Sequence, residues 1–247
     1  FVAPALPVLA QAPAATEVLL TWYRLVLELV RHTPTYSPPV ASRAFAYVGI
    51  TVYEAVASGS DRMVSLAGQV SGLAPLPRRE AGAHDDAVVL NAALALAMHS
   101  FFGNTGPTGQ HAMRSMQDKM TVAVSAGLAE DVVARSAAHG AAVAQHILDW
   151  SQTDGGAVVE NMGFPMEYAL TPGPAHWVPT NLIVQQQKPL LPNWGKNRPF
   201  AMADGLACNL PPPPEYSEDP GSAFYAQAKE VYDTSKTLTD EQKIIAR

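Results

Sequence analysis

Apolar residues recur at intervals of three and four along most of this chain, a spacing that predicts helices rather than strands. Val18, Leu19, Trp22, Leu25, Val26, Leu29 and Val30 mark a first helix over residues 16–32, with Thr16 as candidate N-cap, Glu17 in the first turn and Pro34 as its stop. A second helix spans residues 38–58. Ser37 is its candidate N-cap, Pro38 and Pro39 suit a first turn that needs no N–H, and Gly59 follows its end. It carries only two charges over about five turns, so it reads as buried on most sides and central to a bundle. Its small residues, among them Ala41, Ala44, Gly49 and Ala55, leave room for neighbouring helices.

Residues 60–79 show no sustained period and read as a long connection. Helical spacing returns over 80–102, 108–125 and 129–151, with breaks at Gly103-Asn104-Thr105-Gly106-Pro107, Gly127 and Asp154-Gly155-Gly156. Residues 157–221 hold most of the prolines, including Pro211 to Pro214, yet also Phe164, Tyr168, Trp177, Trp194, Phe200 and Tyr216. A disordered linker is poor in aromatic residues, so the expectation is an ordered, irregular arm that lies on the bundle. A helix over 221–235 follows. Thr239 and Gln242 then stand at capping-box spacing and open another helix. The organisation expected is therefore all-α: a tail over 1–15 that is disordered or processed, a helical bundle over 16–156, the arm over 157–221, and over 222–247 the start of further helices. A well-capped helix that is two turns long at Arg247 reads as one that continues.

Composition narrows the function. A net charge of −6 without a basic cluster argues against nucleic acid. No apolar run reaches the roughly 18 uncharged residues of a membrane span. A lone cysteine, Cys208, leaves no intrachain disulfide framework and no thiolate zinc site. The Ala/Pro-rich opening contains Ala10-Gln11-Ala12, which resembles the end of a signal peptide, so export to periplasm or medium is expected.

Candidate chemistry is sparse. Arg43 and Glu54 lie eleven residues apart, three turns of one helix. They are expected to form or join a buried polar pair that sets helix register, with Tyr47, Thr51 and Ser58 near the same stripe. His139, His146 and Asp149 share a helix, and His84-Asp85-Asp86 sit together near the start of another. A metal site from these is conceivable, but Glu-x-x-His on paired helices is absent, and Asp85 and Asp86 also complement a helix dipole. Met113, Met116 and Met120 read as core. Cys208 has no histidine near it in sequence. There is no Gly-x-Ser-x-Gly elbow and no phosphate-binding Gly-rich loop.

A colinear series of short motifs resembles bacterial vanadium-dependent haloperoxidase-like proteins, which belong to the type 2 phosphatidic acid phosphatase (PAP2) superfamily. It begins at Ser37-Pro38-Pro39-Val40-Ala41-Ser42-Arg43-Ala44-Phe45-Ala46-Tyr47-Val48 with Tyr53-Glu54-Ala55-Val56. It continues through Asn91-Ala92-Ala93, Ile147-Leu148-Asp149-Trp150-Ser151 and Asp154-Gly155. It then runs through Trp177-Val178-Pro179-Thr180, Pro192-Asn193-Trp194-Gly195, Arg198-Pro199-Phe200 and Leu238-Thr239-Asp240-Glu241-Gln242 with Ile245-Ala246. The resemblance implies an all-α fold of two bundle-like halves. It also implies an oxyanion pocket for vanadate, or for phosphate in the phosphatases, held by Lys, Arg and backbone N–H groups with a histidine at the metal or phosphorus.

The pocket's motifs, a Lys and an Arg-Pro seven residues apart and a Ser-Gly-His, do not occur here. Leu191 stands seven residues before Arg198, and Lys188 ten before it. The resemblance thus implies the N-terminal scaffold half of such a protein. No catalytic, cofactor-binding or metal residue is assigned in this chain. Vanadate and the peroxide-dependent halide oxidation, or phosphoester hydrolysis, are expected of a C-terminal half, as a second fragment or a covalent continuation. A homo-oligomer is a further possible assembly. The alternative is a non-catalytic helical binding or assembly module.

Overall fold

The computed structural model describes residues 12–180, 182 and 187–246, so most of the 1–15 tail, including Ala10-Gln11, lies outside the described residues. Among those described there are seven α-helices and no strand. The fold is all-α, as the periodicity predicts.

Five helices build the larger of two compact units, which comprises, of the residues described, 12–168 and those within 179–205. α1 (Ala15–Arg31) buries Val18, Trp22 and Val26, one stripe at four-residue spacing, with Leu19, Tyr23, Leu25, Leu29 and Val30 packed beside it. It starts at Ala15 with Ala14 in the cap position and no side-chain cap, so Thr16 does not serve as N-cap. α2 (Pro38–Ala57) begins on its prolines, with Ser37 in the cap position but making no capping bond. α3 (Asp86–Phe101) is apolar nearly all round, with ten of its residues buried. Gly106–Ser125 forms α4 and Glu130–Ser151 forms α5.

Two expectations shift. The periodic stretch from residue 80 becomes helix only at Asp86, because Asp85 caps the helix by accepting from the Val88 N–H at 3.0 Å. Residues before it run irregularly through Gly82, whose φ is +119°. The bundle also centres on α3 rather than on α2: α3 packs against α1, α2, α4 and α5, whereas α2 packs mainly against α3 and α5. Both helices are poor in charge, but α3 has none inside its span except Asp86 at its start and His99 near its end, so every face can accept a neighbour.

α3 and α5 approach closely at Gly140. A Cβ there would collide with the backbone carbonyl oxygen of Val89 and press on the Ala92 side chain at 3.1 Å. Trp22 of α1 is tied to the same centre, its indole N–H donating to the Asn91 amide oxygen at 2.9 Å. Asn91 in turn donates to Thr121 of α4 at 3.2 Å.

In the stretch 157–221, Trp194 and Phe200 pack on this core and Trp177 is 46% exposed. The second unit comprises residues 169–178 and 206–246 of those described. It contains α6 (Ala223–Thr237), capped by Ser222, and α7 (Asp240–Ile245), whose Thr239 and Gln242 close the expected capping box.

Candidate functional site

The strongest polar constellation lies where α2 meets the end of α5. Asp154 follows α5 in the Asp-Gly-Gly turn, and its side chain is fully buried. Arg43 of α2 donates to one of its oxygens at 2.6 Å. One turn further along α2, the Tyr47 hydroxyl accepts from Arg43 Nε at 2.7 Å and donates to the carboxylate, 2.6 and 2.8 Å from its two oxygens. The Gly156 N–H donates to the other oxygen at 2.8 Å. Burial, and then the bond to the Asp154 carboxylate, push the Tyr47 phenol well above its ordinary value, so this hydroxyl keeps its proton.

The segment 187–205 closes the cluster from outside. Arg43 donates to the Arg198 carbonyl at 2.8 Å, and the Arg198 N–H donates to the Asp154 carbonyl at 2.9 Å. Phe200 stacks under the Arg43 guanidinium, 4.5 Å from ring centroid to carbon, and meets Tyr47 edge-on at 5.5 Å. The terminal nitrogens of Arg198 donate to Thr153 Oγ1 and the Trp150 carbonyl, and its guanidinium lies 5.3 Å from the Trp150 ring. Gly156 is required here, since a Cβ would overlap the Arg43 side chain. Both carboxylate oxygens accept, Arg43 bonds through Nε and one terminal nitrogen, and Arg198 bonds through both terminal nitrogens while its buried Nε makes no hydrogen bond. The cluster ties α2, α5 and residues 198–200 together.

Arg43 and Glu54, expected to form or join one polar pair, enter two separate networks. Arg43 pairs with Asp154. Glu54, at the far end of the same stripe, accepts from the Leu66 N–H and the Ser65 hydroxyl and so pins the connection after α2. Tyr47 lies near the stripe that helical spacing marks, whereas Asp154 and Arg198 are the members that spacing does not single out. The Asp-Gly-Gly turn is the one local signal for Asp154, and it reads first as a helix stop.

The histidines do not converge on a metal. Among the described residues no group of three or more His, Cys, Asp or Glu side chains is placed to hold one. His146 bonds the Ala74 carbonyl at 3.1 Å, and Asp149 accepts from Gln145. His139 is buried and stands 2.9 Å from the Ser58 hydroxyl, which also accepts from Arg79 Nε at 3.1 Å. The His84 ring meets His139 edge-on at 5.8 Å. Asp86 pairs with Arg79 at 2.7 Å. Met113 and Met120 are buried in the core, with Met116 packed against it. Lys188 donates to the Tyr168 carbonyl, and Cys208 is free and exposed in the second unit.

His139 supplies a pH dependence. Burial lowers its pKa below the ordinary 6.5, and the charges of Arg79 and His84 add to the effect. The folded chain thus holds this imidazole neutral where the unfolded chain protonates it. The associated stability is fully present above about pH 6.5 and is lost as pH falls from there through the lowered native value. Urea midpoints are expected to drop between about pH 7.5 and 5, and His139→Gln to flatten that slope.

No family model matches this chain, and no curated protein matches it. Among solved structures, it is similar to a bacterial vanadium-dependent iodoperoxidase, with 28% sequence identity and a TM-score of 0.70. The match covers 93% of this chain and 55% of the iodoperoxidase chain, so the chain spans about half the length of that structure. The fold is haloperoxidase-like.

Proposed function

We propose that this chain is the N-terminal scaffold half of a vanadium haloperoxidase-like protein of the PAP2 superfamily. The observation that carries the reading is the unequal coverage, 93% of this chain against 55% of the iodoperoxidase. The absence of Ser-Gly-His and of a Lys–Arg-Pro pair from the 247 residues is consistent with it.

The residues of this chain do not fit a vanadate or phosphate oxyanion. Such a site needs several cationic donors turned to one anion, whereas Arg43 is neutralised by Asp154 and Arg198, whose terminal nitrogens bond Thr153 and Trp150, keeps only a buried Nε unpaired. The pocket is therefore assigned to a C-terminal half, joined covalently or supplied as a second chain. There, vanadate would support peroxide-dependent halide oxidation, or phosphate chemistry would give ester hydrolysis. This chain's part is to hold the architecture. The second unit supports a partner of this kind: α6 and α7 bury none of their residues, and Val231, Ile244 and Ile245 are 72%, 73% and 78% exposed. The reading includes export, which the Ala/Pro-rich opening favours.

The test is a denaturing intact mass of the natively isolated protein, followed by vanadate loading and assays with iodide plus peroxide and with p-nitrophenyl phosphate. One longer chain, or a second component of similar size, with activity that residues 1–247 alone lack, is the expected result. A native product of these residues alone, without a partner or activity, would leave the binding module as the correct reading. Halide oxidation by residues 1–247 themselves would overturn the scaffold assignment.

A further inference from the structure

A second feature lies away from the Arg43–Asp154 cluster, where the connection before α3 is bonded to α2 and α5. His139 of α5 and His84 of the connection meet edge-on at 5.8 Å. The Ser58 hydroxyl donates to the Ala55 carbonyl at 2.7 Å, so it accepts from His139, whose Nε2 then carries the proton. His84 Nδ1 donates to the Gly82 carbonyl at 3.1 Å, which leaves its Nε2 a bare lone pair, buried and without a partner. A second proton on the His84 ring would have no acceptor there.

The charges around the pair are positive or already engaged. Arg79 donates from Nε to Ser58 at 3.1 Å and pairs with Asp86, at the start of α3, at 2.7 Å. Arg135 of α5 donates to the Ala83 carbonyl and pairs with Asp131. Asp85 accepts from the Val88 N–H, Glu54 of α2 accepts from Ser65 and Leu66, and Glu80 is exposed. Among the described residues no carboxylate bonds either imidazole, so protonating the pair sets two new cations beside Arg79. Residues 80–83 are irregular and exposed. The segment's attachments to α2 and α5 are Arg79 to Ser58 and the Ala55 carbonyl, and the Ala83 carbonyl to Arg135. A segment held by so few bonds opens at less cost than a core helix.

We infer that residues 79–84 are an acid-released strap: protonation of the His84–His139 pair frees them from α2 and α5 while the five-helix core stays folded. With the strap in place, His139 is buried beside a cation. With the strap lifted, it reaches water and protonates freely. The closed form is therefore fully favoured above about pH 6.5, the ordinary histidine value, and loses ground as pH falls from there. The inference does not depend on the identity or presence of a C-terminal half.

The experiment follows amide hydrogen exchange residue by residue in the 247-residue chain from about pH 7.5 to 5.5, with labelling times scaled to the intrinsic exchange rate at each pH. The reporters are the Asp85 N–H, which donates to Ser136 Oγ at 2.9 Å directly after the strap, and the Val88 N–H on the Asp85 cap. Their protection is expected to fall at least tenfold over this range, while Leu94 of α3 and Ile147 of α5 keep theirs. His139→Gln, which retains a donor for Ser58 but does not titrate, should abolish most of that fall. His84→Gln removes one of the two protonations, should reduce the fall, and serves as the test variant where His139→Gln does not fold. Protection at Asp85 and Val88 that is unchanged with pH overturns the inference. So does protection that falls in step with the core, which means global unfolding, or a fall that survives in the folded variants.

Discussion

Asp154→Ala is expected to cost the fold about 3–5 kcal/mol, the range for breaking a buried ion pair by removing one partner. The Arg43 side chain is only 12% exposed, so its charge would be left largely desolvated and without its counter-ion. The Tyr47 hydroxyl would lose its acceptor and the Gly156 N–H its partner. Asp154→Asn preserves shape and some hydrogen bonding but not charge, and is expected to fall between. The discriminating measurement is a double-mutant cycle in urea. Arg43→Ala added to Asp154→Ala should cost far less than the two single losses summed, because each single change already strands the other group. Additive losses would mean that the two side chains are not coupled.

Gly140→Ala is expected to destabilise by about 2–3 kcal/mol, although on helix propensity alone the change should gain about 1 kcal/mol. The added methyl would meet the Val89 carbonyl oxygen. Backbone of one helix cannot swing aside as a side-chain tip can, so α3 and α5 must separate along their whole contact. Gly49 of α2 provides the control, since a Cβ there meets nothing within 4 Å. Gly49→Ala should be neutral or stabilising by up to about 1 kcal/mol. Thermal midpoints of the two variants moving in opposite directions would confirm that Gly140 is retained for proximity rather than for flexibility. A stabilised Gly140→Ala would contradict the packing described.

The elements that periodicity and local stops define were legible before any coordinate: α4, α5 and the Thr239–Gln242 capping box. What was harder to read depends on distant partners. The start of α3 is set by Asp85, and an Ala-rich lead-in does not show where the helix begins. The centre of the bundle belongs to α3 because α1, α4 and α5 all reach it, a fact of topology that the apolar composition shared by α2 and α3 does not separate. The candidate site was legible only in part. Arg43 stood out as a charge on an apolar helix, but its partner lies 111 residues away. Glu54, nearer in sequence and in helical phase with Arg43, took backbone and hydroxyl donors of the next connection instead. Helical phase says which residues share a stripe, not what each stripe faces.

The Arg43 guanidinium depends on chain made much later: Asp154 follows it by 111 residues and the Arg198 carbonyl by 155. During synthesis the α3–α4 and α3–α5 neighbourhoods can fold while this lock is still open, since shorter-range contacts close first and closure over long separations carries the larger entropy cost. The cluster is therefore expected to close late, after the folding barrier has been crossed. A weakened clasp should leave the refolding rate of Asp154→Ala nearly unchanged and put its loss into faster unfolding, so that this residue governs how long the native chain lasts more than how quickly it is reached.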